Sequence, residues 1–234
     1  MTFSSQQKEA LRIAEYKARD CARSHIDAAK RLYAERDWSR SCFLAMTAIE
    51  EIGKSLQFQL ASVQDDGSVL EEQRKHRIKA VFGAVAPLIM NDEARARHGR
   101  NPATRIDRLT AISLLGEAPG EWMALRNKCL YVDLAMTSAT VSDPAHQIIR
   151  EHAYLMIVGA LEAYAQVHAP DFGYREISIE QFSNDAWQRR VVGEIVAFVT
   201  QESGHVDLDR LDFVANVDRV TALKDAVSHG VDWP

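Results

Sequence analysis

Asp37 to Gln64 reads DWSRSCFLAMTAIEEIGKSLQFQLASVQ, and this stretch decides the fold class. Wound at about 100° per residue, it places Trp38, Cys42, Ala45, Ile49, Ile52, Leu56, Leu60 and Val63 along one face of a helix that Asp37 can cap. Phe43, Leu44, Met46 and Phe58 fall outside that stripe. The helix is therefore apolar on nearly every side through its first half, as expected of a central helix or one covered by a partner. Glu50, Glu51 and Lys54 are set into this surface, with Gly53 beside them. Glu50 and Lys54 lie within about 40° of each other and are expected to pair across one turn. On a solvated face such a pair contributes only about 0.3–0.5 kcal/mol. The apolar surroundings support a second reading, because charges withdrawn from water must be paired and become site candidates where they line a cleft.

Upstream, Ser4 and Gln7 form a capping-box pattern, and no glycine or proline interrupts the chain from there to Arg36. Leu11, Ala14, Ala18, Cys21, Ala22, His25, Ala28, Ala29 and Leu32 recur at helical spacing, so the first two helices are expected to form an antiparallel hairpin. The DDGS stretch at 65–68 is a loop. A third helix is expected from about Leu70 to Met90, limited or kinked by Pro87. Residues 91–120 are rich in arginine (Arg95, Arg97, Arg100, Arg105, Arg108) and turn formers, with one helix expected near 103–115. Glu121 to about Leu130 reads as another helix. Asp143 and Pro144 place a capping residue before a proline at the first helical position, opening a helix expected to reach about His168. Pro170, Asp171 and Gly173 mark a break, after which 178–202 and 207–229 read as amphipathic helices that pack on the bundle or form a partner surface. No alternation is long enough for a strand, and no repeat is present. The expected class is all-α, a helical bundle domain over 1–170 with a helical extension over 171–234.

An apolar fraction of 47% and a charged fraction of 26% describe a folded chain. The net charge of −5 argues against nonspecific coating of nucleic acid, which relies on lysines and arginines displacing counterions, while leaving room for a local basic groove. The arginine-rich 91–108 segment holds an excess of only about two positive charges, and a solvated loop is its default reading. The N-terminus lacks a basic start followed by an apolar stretch, and the longest apolar run, Tyr154 to Ala160, is far short of the roughly 20 residues of a membrane span. Cys21, Cys42 and Cys129 lack the spacing of a zinc site or disulfide framework and are expected to be buried thiols in a reducing cytoplasm. With no glycine-rich phosphate cradle, zinc signature or calcium loop, no metal or cofactor is expected.

The run AMTAIEEIGKSLQF, Ala45 to Phe58, resembles through Glu50-Glu51-Ile52-Gly53-Lys54 the helix-two signature of the AbiV-type HEPN proteins. His76 and Lys79 in KHRIKA resemble that family's histidine–lysine pair on the next helix, and RNKCLYVD, Arg126 to Asp133, resembles its arginine-then-leucine-tyrosine-valine-aspartate segment. The resemblance spans roughly residues 5–168, with the three motifs in family order. It implies a HEPN bundle, commonly a homodimer, from a group associated with abortive infection, in which an infected bacterial cell stops phage multiplication. Many HEPN relatives are metal-independent endoribonucleases.

A metal-free RNase can use the ribose 2′-hydroxyl as nucleophile, a general base to deprotonate it and a cation to stabilise the phosphorane-like transition state. Active HEPN RNases resemble one another in an arginine separated by four to six residues from a histidine. Here Arg126 is followed at that spacing by Tyr131, a phenol whose unperturbed pKa near about 10 makes a poor base. Arg19 and His25 fit the spacing formally, inside helix one. His76 can supply the base if its helix packs beside the Arg126 segment, with Glu50 or Glu51 orienting it; otherwise His76 and Lys79 make surface contacts. Tyr131 is also read as a core aromatic bonded to a carboxylate such as Glu51, Asp133 as a turn or capping residue, and Asn127 as a phosphate contact or a helix end.

Three functions follow. A dimeric defence endoribonuclease would use Arg126, Glu51, Lys54, His76 and Tyr131 for catalysis, and Glu50, Lys79, Asn127 and Asp133 to bind RNA. A non-catalytic defence module would bind a phage protein, a nucleotide or a translation component. A helical scaffold would only dimerise.

Overall fold

A computed structural model describes residues 3–71, 79–80, 83, 119–135, 140–167 and 186–207. The Ser4 hydroxyl accepts the Gln7 N–H at 3.2 Å while the Gln7 side chain accepts the Ser4 N–H at 2.8 Å, which starts α1 (Ser5–Ala34). Ala18, Ala22, Ile26, Ala29 and Tyr33 form its buried stripe. Arg36 adopts a positive φ of 65° in the turn, and the Asp37 carboxylate accepts the Arg40 N–H at the start of α2 (Trp38–Gln64). The two helices run antiparallel. Ser41 Oγ donates to the Ala29 carbonyl next to the turn, and Lys8 pairs with Asp65 at 2.8 Å at the far end. Small residues on both helices, Ala18 and Ala22 on α1 and Ala45 and Ala48 on α2, are buried and let the backbones approach. Met46 is also fully buried and Phe43 and Leu44 pack against the core, so α2 is the central helix its all-round apolarity implied.

After the 65–67 loop comes α3 (Ser68–Glu71), and Lys79, Ala80 and Gly83 are also helical. The helix expected near 103–115 lies outside the described residues, as do Pro87 and the 91–108 arginines. The chain returns in α4 (Pro119–Leu130), which lays Trp122 and Cys129 against α2; Ser39 Oγ donates to the Cys129 carbonyl at 2.6 Å.

Two departures from the sequence expectation follow. Asp133–Ala135 (β1) and Thr140–Ser142 (β2) pair as an antiparallel ribbon, Leu134 opposite Val141. Three residues a side are too few to produce a readable alternation, and Val141 is exposed. The helix expected to run from Pro144 to about His168 is split. Asp143 caps α5 (Pro144–Gln147) as expected, but Ile148 turns extended and drops into the core, 1% exposed. His152 Nδ1 then accepts the Ile149 N–H at the start of α6 (Arg150–Val167). Burial of one isoleucine outweighs the continuity that local propensity favours. From Ala153 to Leu161 α6 is almost entirely buried, consistent with a helix surrounded by others.

The last described helix, α7 (Ala186–Glu202), ends in a 3₁₀ turn at Ser203–His205 and joins the same core. Phe198 stacks on Tyr154 at 5.7 Å and meets Tyr33 edge-on at 5.4 Å. Arg150 donates to Glu202 at 2.7 Å and to Tyr33 Oη at 3.0 Å, while Arg23 and Lys30 of α1 hold Glu194 at 2.8 and 2.6 Å. Among the described residues no helix is long and apolar enough to cross a membrane.

Burial raises the pKa of Glu194, but the bonds and charges of Arg23 and Lys30 outweigh it and hold the carboxyl below its ordinary value of 4.5. A depressed folded pKa contributes stability that is complete above the unfolded value and is lost as pH falls through the folded one. Thermal unfolding followed by circular dichroism is expected to lose stability below about pH 4.5, and Glu194→Gln is expected to flatten that limb. An unchanged acid limb in the variant would contradict this origin.

Candidate functional site

Glu50 is the centre of the polar cluster and is only 2% exposed. An isolated carboxylate there would be costly, so its oxygens must find donors. Trp122 Nε1 donates to Oε1 at 3.2 Å, Arg126 Nε approaches the same oxygen at 3.5 Å, and Lys79 Nζ lies 3.9 Å from Oε2. Trp122, Arg126 and Cys129 occupy positions i, i+4 and i+7 of α4, one stripe facing α2. That periodicity brings an indole and a guanidinium to one buried acid.

The expected Glu50–Lys54 pair does not form. Lys54 Nζ instead meets the Glu51 carboxylate at 3.2 Å, one turn at i,i+3, on the flank of α2 that looks toward α1. Both charges bear on the Cys21 thiol of α1, whose pKa burial and the Glu51 charge raise. Glu50 rotates inward because three nitrogen donors from two other segments converge on it, which a single surface lysine does not match. The sequence cluster thus divides into a buried centre (Glu50, Lys79, Trp122, Arg126) and a half-buried flank (Glu51, Lys54).

Tyr131 does not enter the core. It is 59% exposed, just beyond the end of α4, and the core-aromatic reading with a bond to Glu51 is overturned. Leu130, Val132 and Val141 are exposed around it, so the helix ends before the ring can turn inward. Asn127 is exposed in the last turn of α4, where its carbonyl accepts the Tyr131 N–H at 2.9 Å, and Asp133 opens β1. His76 lies outside the described residues. Arg19 is buried and bonded to Glu15, while His25 Nε2 sits 3.4 Å from Cys21 Sγ, so that formal pair belongs to α1 alone. Cys21 is exposed, unlike the expectation for all three thiols.

Two residues were not assigned roles from sequence. Trp122 anchors the acid; an indole N–H near a motif arginine is its only sequence signal. Gly53 is required by contact: a Cβ there would lie 1.8 Å from the Lys79 carbonyl oxygen and 2.7 Å from Gly83 N, and a Cβ at Gly83 would lie 2.0 Å from the Ile49 oxygen. The two glycines face each other where α2 meets the Lys79 segment. A glycine inside an otherwise strong helix costs about 1 kcal/mol relative to alanine and was the available clue.

Arg126 is oriented by two contacts. Its Nε faces Glu50, its guanidinium lies 5.1 Å from the Phe43 ring centroid, and its side chain is 16% exposed. Among the described residues its terminal Nη groups carry no hydrogen bond. The buried acid, the Gly53 crossing with the Lys79 segment, and the Arg126 helix are the three sequence motifs brought to one place. The AbiV family model of HEPN proteins matches residues 10–164, which contain all of them. The chain belongs to the AbiV family. Membership makes this AbiV-family chain a HEPN module of the abortive-infection class, and its helical bundle is the HEPN bundle that the resemblance implied. No curated protein and no solved structure matches it.

Proposed function

We propose that this AbiV-family protein acts in phage defence as a homodimeric, cytoplasmic HEPN module that binds RNA through Arg126 without cutting it. Residues 1–170 form the HEPN domain in this reading and 171–234 the extension, whose helix α7 packs onto it. The observation that carries the proposal is the oriented guanidinium: Glu50 and Phe43 hold Arg126, and among the described residues its Nη groups carry no hydrogen bond. An arginine fork pre-organised in this way suits phosphate, which accepts two parallel N–H bonds. Cutting needs a base, and the described surroundings of Arg126 supply none: Glu50 is engaged by cationic and indole donors, and Tyr131 projects to solvent. A second reading, a metal-independent endoribonuclease, is favoured by one fact. Lys79 reaches the Glu50 centre, and His76 precedes it by three positions in the chain.

Fluorescence anisotropy of labelled single-stranded RNA, run over a salt series, tests the proposal. Arg126→Ala is expected to weaken binding at least about tenfold and to lower the salt slope by about one, with Arg126→Lys intermediate. Wild-type affinity in Arg126→Ala, or no binding by the wild type, would overturn it. The same samples incubated with total cellular RNA and a chelator are expected to leave it intact. Chelator-resistant cutting lost in both Arg126→Ala and His76→Ala would establish the nuclease reading instead.

A further inference from the structure

The α2–α4 interface has a second pair of facing side chains besides Glu50 and Arg126. Two turns before Glu50 on α2 stands Cys42, and one turn after Arg126 on α4 stands Cys129. Ser39, one turn before Cys42, bonds Cys129 at one end of the contact, as Glu50 meets Trp122 and Arg126 at the other. Both thiols are buried in one core cluster, 0% and 2% exposed. They are free thiols in this structure. The Cys129 backbone is pinned by the Ser39 hydroxyl at 2.6 Å.

Buried thiols are ordinarily inert. Here a cavity of about 500 Å³ opens between the α1–α2 turn, the end of α4 and the start of α5. Arg36, Trp38, Leu130 and Pro144 are among its lining residues, and so is Cys129. One member of the thiol pair is thus at the wall of a space large enough for a small oxidant. Burial and its neighbour Cys129 push the Cys42 thiol well up, and Cys129, the one of the two at the cavity wall, is the residue an entering oxidant meets first.

We infer that Cys42 and Cys129 are a reversible oxidation site, at which a small hydroperoxide entering through the cavity joins α2 to α4 by a disulfide. The Cys129 thiolate attacks the distal peroxide oxygen, forming an S–O bond as the O–O bond breaks and water, or an alcohol, leaves. The Cys42 sulfur then attacks the sulfenic sulfur, forming the S–S bond and releasing a second water. Two thiols lose two electrons and two protons, and one peroxide is reduced. The link clamps the register of the two helices that hold Glu50 and Arg126. It does not depend on the RNA-binding proposal, because it is read from covalent mass alone.

The test treats the full-length protein, wild type and Cys21→Ser, with hydrogen peroxide, alkylates remaining thiols in denaturant, and maps peptides without reductant. The expected product in both is an intramolecular Cys42–Cys129 linked peptide, reversed by dithiothreitol, with the unfolding midpoint of the oxidised Cys21→Ser protein raised by about 5 °C or more. Cys42→Ala is expected to accumulate a dimedone-reactive sulfenic acid at Cys129. If that variant fails to fold, the linked peptide in Cys21→Ser decides by itself. Oxidation confined to Cys21, with Cys42 and Cys129 both fully alkylated in wild type after hours of exposure, would overturn the inference.

Discussion

Gly53→Ala is expected to lower the unfolding midpoint by about 6–12 °C, or to prevent folding. The added methyl would sit 1.8 Å from a backbone oxygen and 2.7 Å from a backbone nitrogen, neither of which can rotate away. The Lys79 segment must therefore move off α2 as a whole, and overpacking of that kind costs about 3 kcal/mol or more, at roughly 2–4 °C per kcal/mol for a chain of this size. Gly193 supplies the control. It lies in α7 with nothing within 4 Å of an added Cβ, so Gly193→Ala is expected to raise stability slightly through helix propensity. The same chemical change then has opposite signs at two helical positions. Equal midpoints for the two variants would refute the close crossing.

The second large effect is expected at Glu50. Removing the carboxylate in Glu50→Ala leaves Lys79 and Arg126 at a buried centre without it and takes an acceptor from Trp122. Breaking a buried ion pair from one side costs about 3–5 kcal/mol, so a denaturant midpoint well below that of the wild type is expected. Glu50→Gln keeps an acceptor for the indole and is expected to fall between them. A double-mutant cycle with Arg126→Ala separates the roles: once the guanidinium is gone, the loss of Glu50 is expected to cost measurably less than it does alone. Strict additivity would mean that the acid and the arginine do not act as a unit. This measurement also bears on the RNA proposal, since an affinity lost in Arg126→Ala while the fold persists cannot be assigned to unfolding.

Much of the bundle was legible because its helices carry their own boundaries. Ser4 with Gln7, Asp37, and Asp143 with Pro144 mark starts by local hydrogen bonding, and a local bond needs no tertiary partner to be recognised. The split at Ile148 was not legible, because it arises from burial of one side chain against distant helices. Glu50, Lys79 and Arg126 are all at the buried centre, yet the pairing that helix spacing favoured, Glu50 with Lys54, lost to donors arriving from elsewhere in the chain. Tyr131 was misplaced for the same reason. Its position relative to the core depends on where α4 ends, and exposed apolar neighbours on both sides gave no periodic signal of that end.

By itself, then, the sequence determined the helical class, the hairpin of α1 and α2, the central position of α2 and the family. Each of these rests on periodicity, capping or an ordered set of motifs, which are properties of neighbours in the chain. Only the tertiary structure decided which acid is buried, which cations it holds, why Gly53 must be glycine and that two distant cysteines share one core. Those are contacts between residues far apart in sequence, and their outcome depends on competition among partners for desolvated charge and for space, which no local pattern encodes.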